Sequence, residues 1–198
     1  MPTIAVSTSS FARHDPRPLD QLRQAGYEVR LNPHGRRLRQ TETRELLDGV
    51  VGLVAGTEKL DREILTAATE LRAIARCGVG VDNVDQDAAA ECGIAVRCTP
   101  EAPAEAVAEL TMAGMLALLR HLPIADRDLR RGEWQKPMGR LLRGRTIGLV
   151  GLGRVGKRLV ELLTPFACTI VATDPVPDEW FAERHGISLG FMGFFARA

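Results

Sequence analysis

The chain has 198 residues, of which 45% are apolar and 26% charged, enough for one ordinary domain or two small ones and typical of a folded chain rather than a disordered one. Lys and Arg total 26 against 25 Asp and Glu, a net charge of +1, so nothing global favours nucleic acid or an anionic membrane as partner. The longest uncharged run in the most apolar segment, Leu110 to Leu119, is too short to span a bilayer. The start, Met-Pro-Thr-Ile-Ala-Val, has no basic segment before its apolar run, and the cytoplasm is the expected compartment. Cys77, Cys92, Cys98 and Cys168 form no CxxC pair, so neither a zinc site nor a redox dithiol is indicated. They are expected to be buried free thiols.

In chain order, Thr3–Val6 reads as a strand, Leu19, Leu22 and Ala25 share a helix face with Gly26 as its stop, and Tyr27–Leu31 reads as a second strand. Thr41 is the expected N-cap of a helix through Leu46 and Leu47, closed by Gly49 before a buried strand at Val50–Val54. Asp61 caps a helix carrying Ile64, Leu65 and Ala68, and Leu71–Ala75 is the next strand. Asp85 caps a short helix to Cys92, and Gly93 ends it before a strand at Ile94–Val96. Strand and helix in alternation imply a parallel sheet covered by helices. Thr99-Pro100-Glu101-Ala102-Pro103 interrupts the rhythm as a hinge. The Ala- and Leu-rich helix Ala104–Arg120 is apolar on more than one face, as fits either a core helix or one packed on a second subunit. A helix at Ile124–Arg131 and a loop around Trp134, Pro137 and Gly139 follow. Then come a strand at Thr146–Val150, a helix at Lys157–Leu163 stopped by Pro165, and a strand at Thr169–Thr173.

Two segments carry chemistry. Gly151-Leu152-Gly153-Arg154-Val155-Gly156 leaves a strand and opens a helix, and Asp174 closes the next strand 18 residues beyond Gly156. A lone GxGxxG is a weak signal, but this context is that of a dinucleotide site. Gly151 permits the tight turn, Gly153 lets the backbone approach a pyrophosphate, and Gly156 lets helix and sheet lie close. The helix N-terminus offers free amides to the phosphates. Asp174 accepts from the adenosine ribose hydroxyls and repels a 2′-phosphate, which favours NAD over NADP. The second segment is Arg76-Cys77-Gly78-Val79-Gly80-Val81-Asp82-Asn83-Val84-Asp85. Its amides around Gly78 and Gly80 can form a nest for a carboxylate, with Arg76 adding charge-assisted hydrogen bonds. Taken alone, it reads as a tight strand-to-helix turn capped by Asp82 and Asn83; the nucleotide-binding segment in the same chain is what points to a substrate carboxylate.

With Gly52-Leu53-Val54-Ala55-Gly56-Thr57-Glu58, Cys98-Thr99-Pro100 (without an asparagine), Val107-Ala108-Glu109-Leu110-Thr111, Gly132-Glu133-Trp134 and Leu142 to Gly148, these segments give the chain a recognisable pattern. It resembles the D-isomer-specific 2-hydroxyacid dehydrogenase family, in its D-3-phosphoglycerate dehydrogenase-like branch, from about Gly52 to about Ile187. The resemblance implies an α/β fold: a flavodoxin-like substrate domain, here residues 1–100, and a Rossmann NAD-binding domain, here residues 101–198 and incomplete. It implies an active site in the cleft between two such domains and a homodimer involving the Ala104–Leu119 helix. It also implies hydride transfer between NAD and a small 2-hydroxy or 2-oxo acid, 3-phosphoglycerate being one of that class. Gly78, Val79 and Gly80 would hold the substrate carboxylate with Arg76 beside them. Gly151, Gly153, Arg154, Val155 and Gly156 would lie along the pyrophosphate, with Asp174 on the ribose.

The family's proton-transfer machinery is an Arg, a Glu and a His downstream of the second nucleotide-domain strand. No position of this chain matches them, and His14, His34, His121 and His185 stand elsewhere, so no catalytic residue is assigned. Phe191, Phe194 and Phe195 in the tail depart from the family pattern. The expectation is a truncated or frameshifted member that is inactive as this chain. The alternative is a non-catalytic NAD-binding or dimerisation module that docks through the Phe residues.

Overall fold

The computed structural model of the chain describes residues 1–190, which fall into two compact units: Met1–Ala102, and a second that starts at Pro103. The Phe-rich tail from Phe191 onward lies outside the described residues.

The first unit is a five-stranded sheet of β1 (Thr3–Val6), β2 (Glu28–Leu31), β3 (Val50–Ala55), β4 (Ala73–Arg76) and β5 (Ala95–Cys98), interleaved with α1 (Arg17–Gln24), α2 (Gln40–Leu47), α3 (Arg62–Ala67) and α4 (Gln86–Glu91). Every pairing is parallel, and the strand order is β2-β1-β3-β4-β5, the flavodoxin-like order. The apolar strands occupy its centre: Ala5, Val6, Val50, Leu53 and Ala55 are buried, while Glu28 and Arg30 on the β2 edge are exposed. Charge on an edge strand discourages further pairing. Arg30 also donates to the carbonyls of Leu46 (3.1 Å) and Asp48 (2.7 Å), closing the carboxyl end of α2. Leu60, Ile64, Leu65, Leu71 and Ile74 form the middle of the core, and α4 lies on it through Ala88 and Ala89.

Asp61 and Asp85 cap their helices as read from the sequence, accepting from the amides of Ile64 (3.2 Å) and Ala88 (2.9 Å). Several boundaries differ, and three of the starts have a visible cause. Thr41 is not the cap of α2; Arg39 holds that place, and its amide donates to Glu42 (2.8 Å), a carboxylate reaching back from the first turn in place of a hydroxyl. Leu71 belongs to the turn after α3, its amide on the Ala68 carbonyl (3.0 Å), so β4 starts two residues late. Ile94 is claimed by the Schellman turn of α4, its amide on the Ala89 carbonyl (2.8 Å), so β5 starts at Ala95.

The second unit holds α5 (Ala104–Leu119), α6 (Leu122–Arg130), β6 (Thr146–Val150), α7 (Arg154–Leu163), β7 (Thr169–Thr173), α8 (Glu179–Arg184) and β8 (Ser188–Leu189). Its parallel sheet runs β6-β7-β8, the strand sequence of the first mononucleotide half of a Rossmann sheet. Leu149, Leu152, Leu159, Val160, Leu163, Ile170, Phe181 and Ile187 form its core, with Met112, Met115, Leu116 and Leu119 of α5 half-buried against it. Glu105 and Arg158 tie α5 to α7 (2.5 Å). α5 is not an enclosed core helix: Ala108 alone among its residues is buried, and Leu110 and Leu118 are 72% and 74% exposed.

The cysteines correct the expectation of burial. Cys77, Cys92 and Cys98 are exposed and Cys168 is half-buried. The first and third stand where strands leave the sheet and the second at the end of α4, positions the core does not reach. No helix among the described residues is long and apolar enough to cross a membrane.

Two outcomes follow from this packing. Leu65→Ala, at 1% exposure, is expected to lower unfolding free energy by about 2–5 kcal/mol in urea titrations. The two-pronged Arg36 pair, then the Arg39 amide, hold the Glu42 carboxyl at about 2, below its ordinary 4.5. Its stabilisation is therefore present above pH 4.5 and lost as pH falls through about 2. The stability difference between wild type and Glu42→Gln should shrink over that window; a constant difference contradicts this.

Candidate functional site

In the second unit the chain leaves β6 through Gly151, at φ +102°. The Gly151 amide continues the ladder to the Thr173 carbonyl (2.7 Å). Asp174 then reaches back: one carboxylate oxygen accepts from the Leu152 amide (2.7 Å), the other from Val176 (2.9 Å). These amides, Val176 foremost, hold the Asp174 carboxyl below its usual range, helped by the charge of Lys157. A carboxylate has about four acceptor positions, so acceptor capacity remains for hydroxyl donors. A Cβ on Gly156 would overlap the Gly151 carbonyl oxygen. The first turn of α7 thus passes close to the backbone that continues β6, as expected from sequence. α7 starts at Arg154, three residues earlier than read, because Gly153 in extended conformation is its N-cap. Its first bond back is Lys157 to Gly153 (2.9 Å), and the amides of Gly153, Arg154, Val155 and Gly156 meet no protein acceptor among the described residues. Beside the turn opens a cavity of about 710 Å³ lined by Val150, Gly151, Thr173, Asp174, Pro175 and Leu189.

In the first unit, the segment after β4 turns at Gly78, φ +144°, a conformation open to glycine but not to L side chains. The Gly78 amide is spent on the Arg76 carbonyl (2.9 Å), and its own carbonyl accepts from Thr99 (3.0 Å). The amides of Val79 and Gly80 have no protein acceptor among the described residues, so the nest offers two donors rather than three. Arg76 folds over this turn: its Nη1 donates to the Cys77 carbonyl and its buried Nε has no partner among the described residues. Asn83 anchors the segment from below, donating to the Glu58 carbonyl (2.7 Å) and accepting from the Leu60 amide (2.8 Å).

The sequence did not point to Ser7 and Glu58, which are both 2% exposed. The Ser7 hydroxyl donates to Glu58 Oε1 (2.5 Å), and the Gly56 amide donates to both side chains (2.9 and 3.1 Å). The one hint was the polar run Ser7 to Ser10 directly after an apolar strand. The histidines stand apart from both features: His34 faces Glu42 at 3.8 Å and His185 stacks on Phe181 at 4.2 Å. No group of three or more His, Cys, Asp or Glu among the described residues is placed to hold a metal.

The model of the family "D-isomer specific 2-hydroxyacid dehydrogenase, catalytic domain" matches residues 5–191. A D-3-phosphoglycerate dehydrogenase of Methanocaldococcus jannaschii is 41% identical over 147 residues, covering 73% of this chain and 28% of that protein. A hydroxypyruvate reductase of Thermotoga maritima is 40% identical over 129 residues, covering 64% of this chain and 42% of that protein. The solved structure of a Polaromonas protein, described as a D-isomer specific 2-hydroxyacid dehydrogenase, NAD-binding, superimposes with a TM-score of 0.85 at 25% identity, over 96% of this chain and 60% of that one. The chain thus spans under half the length of these two relatives.

The turn itself is testable. Gly156→Ala forces its methyl against the Gly151 carbonyl and should cost about 1–3 kcal/mol of stability in thermal unfolding, with the Leu152 amide resonance displaced. An unchanged melting temperature would contradict the close approach.

Proposed function

The chain belongs to the D-isomer specific 2-hydroxyacid dehydrogenase family, and on that premise we propose that it serves hydride transfer between NAD and a small 2-hydroxy or 2-oxo acid, the first unit binding the acid and the second binding NAD. The observation that carries the reading is the bond from Leu152 to Asp174, which joins a bare glycine turn to an ionised acid beside an open cavity. The residues present fit NAD. The four unpaired amides from Gly153 to Gly156 receive a diphosphate at a helix N-terminus, with Arg154 and Val155 alongside it. Asp174 accepts the adenosine ribose hydroxyls with its remaining acceptor positions. When bound, NAD supplies the hydride donor or acceptor. In the first unit, the Val79 and Gly80 amides take the acid's carboxylate, and the Arg76 guanidinium lying over Gly78 neutralises it.

The relatives are named for phosphoglycerate and for hydroxypyruvate, which makes acids with a phosphate and acids without one the two candidate substrate classes. None of the four histidines lines the cradle or the nest, which supports binding without proton transfer, and so without turnover, by this chain alone. We place the protein in the cytoplasm as a homodimer. The exposed Leu110 and Leu118 of α5 supply an apolar face for a second copy.

Calorimetry tests the cofactor reading. NAD is expected to bind, with NADP at least about tenfold weaker because an ionised acid meets the 2′-phosphate, and Asp174→Ala should remove that preference. Equal binding of NAD and NADP by the wild type would contradict the role of Asp174. NADH mixed with 2-oxo acids and the purified chain should show no oxidation above blank. Sedimentation tests the assembly: wild type should run as a dimer and the Leu110→Glu/Leu118→Glu double variant as a monomer.

A further inference from the structure

At the carboxyl end of the first sheet, β1 and β3 open a polar pocket of about 220 Å³ whose lining includes Ser7, Ser10, Arg37, Glu58, Arg76 and Cys77. It lies at the switch point of the strand order, where doubly wound sheets receive ligands. Arg76 and Cys77, which line it, lead the chain directly into the Gly78 turn. A short acid anchored by its carboxylate at Val79 and Gly80, two and three residues beyond the lining Cys77, would extend its far end toward this pocket.

The charges there are unequal in effect. Glu58 is buried; its Oε1 takes the Ser7 and Gly56 donors, while its Oε2 accepts no hydrogen bond among the described residues. Arg36, which also lines the pocket, spends both guanidinium prongs on Glu42 at 2.6 and 2.8 Å. Arg37 is exposed, where solvent and salt screen its charge, whereas a buried charge is screened far less. Ala55, at the end of β3, is fully buried and offers no side-chain donor. Arg76 also lines the pocket, but its guanidinium folds over Gly78 with Nη1 on the Cys77 carbonyl, at the carboxylate end, so a terminal phosphate would meet the Glu58 carboxylate without a further inward cation. A terminal hydroxyl would donate to the open Oε2. We infer that Glu58 is a specificity-determining residue that selects short 2-hydroxy or 2-oxo acids ending in a hydroxyl and rejects their phosphorylated counterparts. This rests on the reading that the Gly78–Gly80 nest holds the carboxylate.

The test is a titration of the ¹⁵N-labelled chain with D-glycerate and, separately, 3-phospho-D-glycerate, following the amides of Gly56, Val79 and Gly80. D-glycerate is expected to bind at least about tenfold more tightly, since an unpaired buried charge in a site penalises the wrong ligand strongly. Glu58→Gln keeps the shape and one acceptor oxygen but removes the charge, and should bring the two affinities within about twofold of each other. Arg37→Ala should leave the wild-type ratio within about twofold, as suits a screened surface charge. The inference is overturned by phosphoglycerate binding as tightly as glycerate, by a ratio unchanged in Glu58→Gln, or by a ratio that follows Arg37 instead. The wild-type ratio decides the matter even where a variant loses its fold. If neither acid moves Val79 and Gly80, the carboxylate nest itself is refuted and the inference falls with it.

Discussion

The Asp174 carboxylate, held by the Leu152 amide at 2.7 Å, locks the glycine turn to the end of the neighbouring strand. That bond needs three things at once. The strands must be in register, with Val150 opposite Thr173. The turn must be bare where Gly156 passes the Gly151 carbonyl. The acid must be ionised, as its backbone donors ensure. Given those, α7 begins with its unpaired amides next to an open cavity and a fixed negative charge. The unpaired amides and the ionised acid then share one corner.

The first unit follows a related plan. A parallel strand ends, a glycine takes a conformation other residues avoid, and backbone amides are left without acceptors. Here the support is a polar lattice rather than one acid: Asn83 hangs the turn from the Glu58 backbone, while the Glu58 side chain pins Ser7 and Gly56. Burial makes such a lattice stiff when every group has a partner and costly when one does not. The two groups left open, Glu58 Oε2 and Arg76 Nε, are of opposite character and line the same pocket.

What was legible in the sequence was what is encoded locally. Thr3–Val6, Thr146–Val150 and Thr169–Thr173 are strands with the bounds read from their apolar runs, and Asp61 and Asp85 cap where an acid precedes a helix. The glycine turn and Asp174 were legible because strand, turn, helix, strand and acid occur within one short stretch. Elements failed to follow the pattern where a distant or longer side chain intervened. Glu42 reached back to start α2 ahead of Thr41. The Schellman turn took Ile94 out of β5. The Ser7–Glu58 pair joins residues 51 apart, a meeting that only the β1–β3 pairing creates. Residue type alone misjudged the cysteines, because three of them stand at the ends of elements, beyond the core. α5 was ambiguous for a different reason: an apolar helix reads alike whether its outer face meets the same chain or another.

The most direct measurement is a two-dimensional amide spectrum of the labelled chain during titration with ADP-ribose, which carries the diphosphate and the adenosine ribose without the nicotinamide. Saturable shifts centred on Gly151 to Gly156 and on Asp174 to Val176, abolished in Asp174→Ala, are the predicted result. A spectrum in which those amides stay still, or in which shifts centre on other elements, would contradict the account.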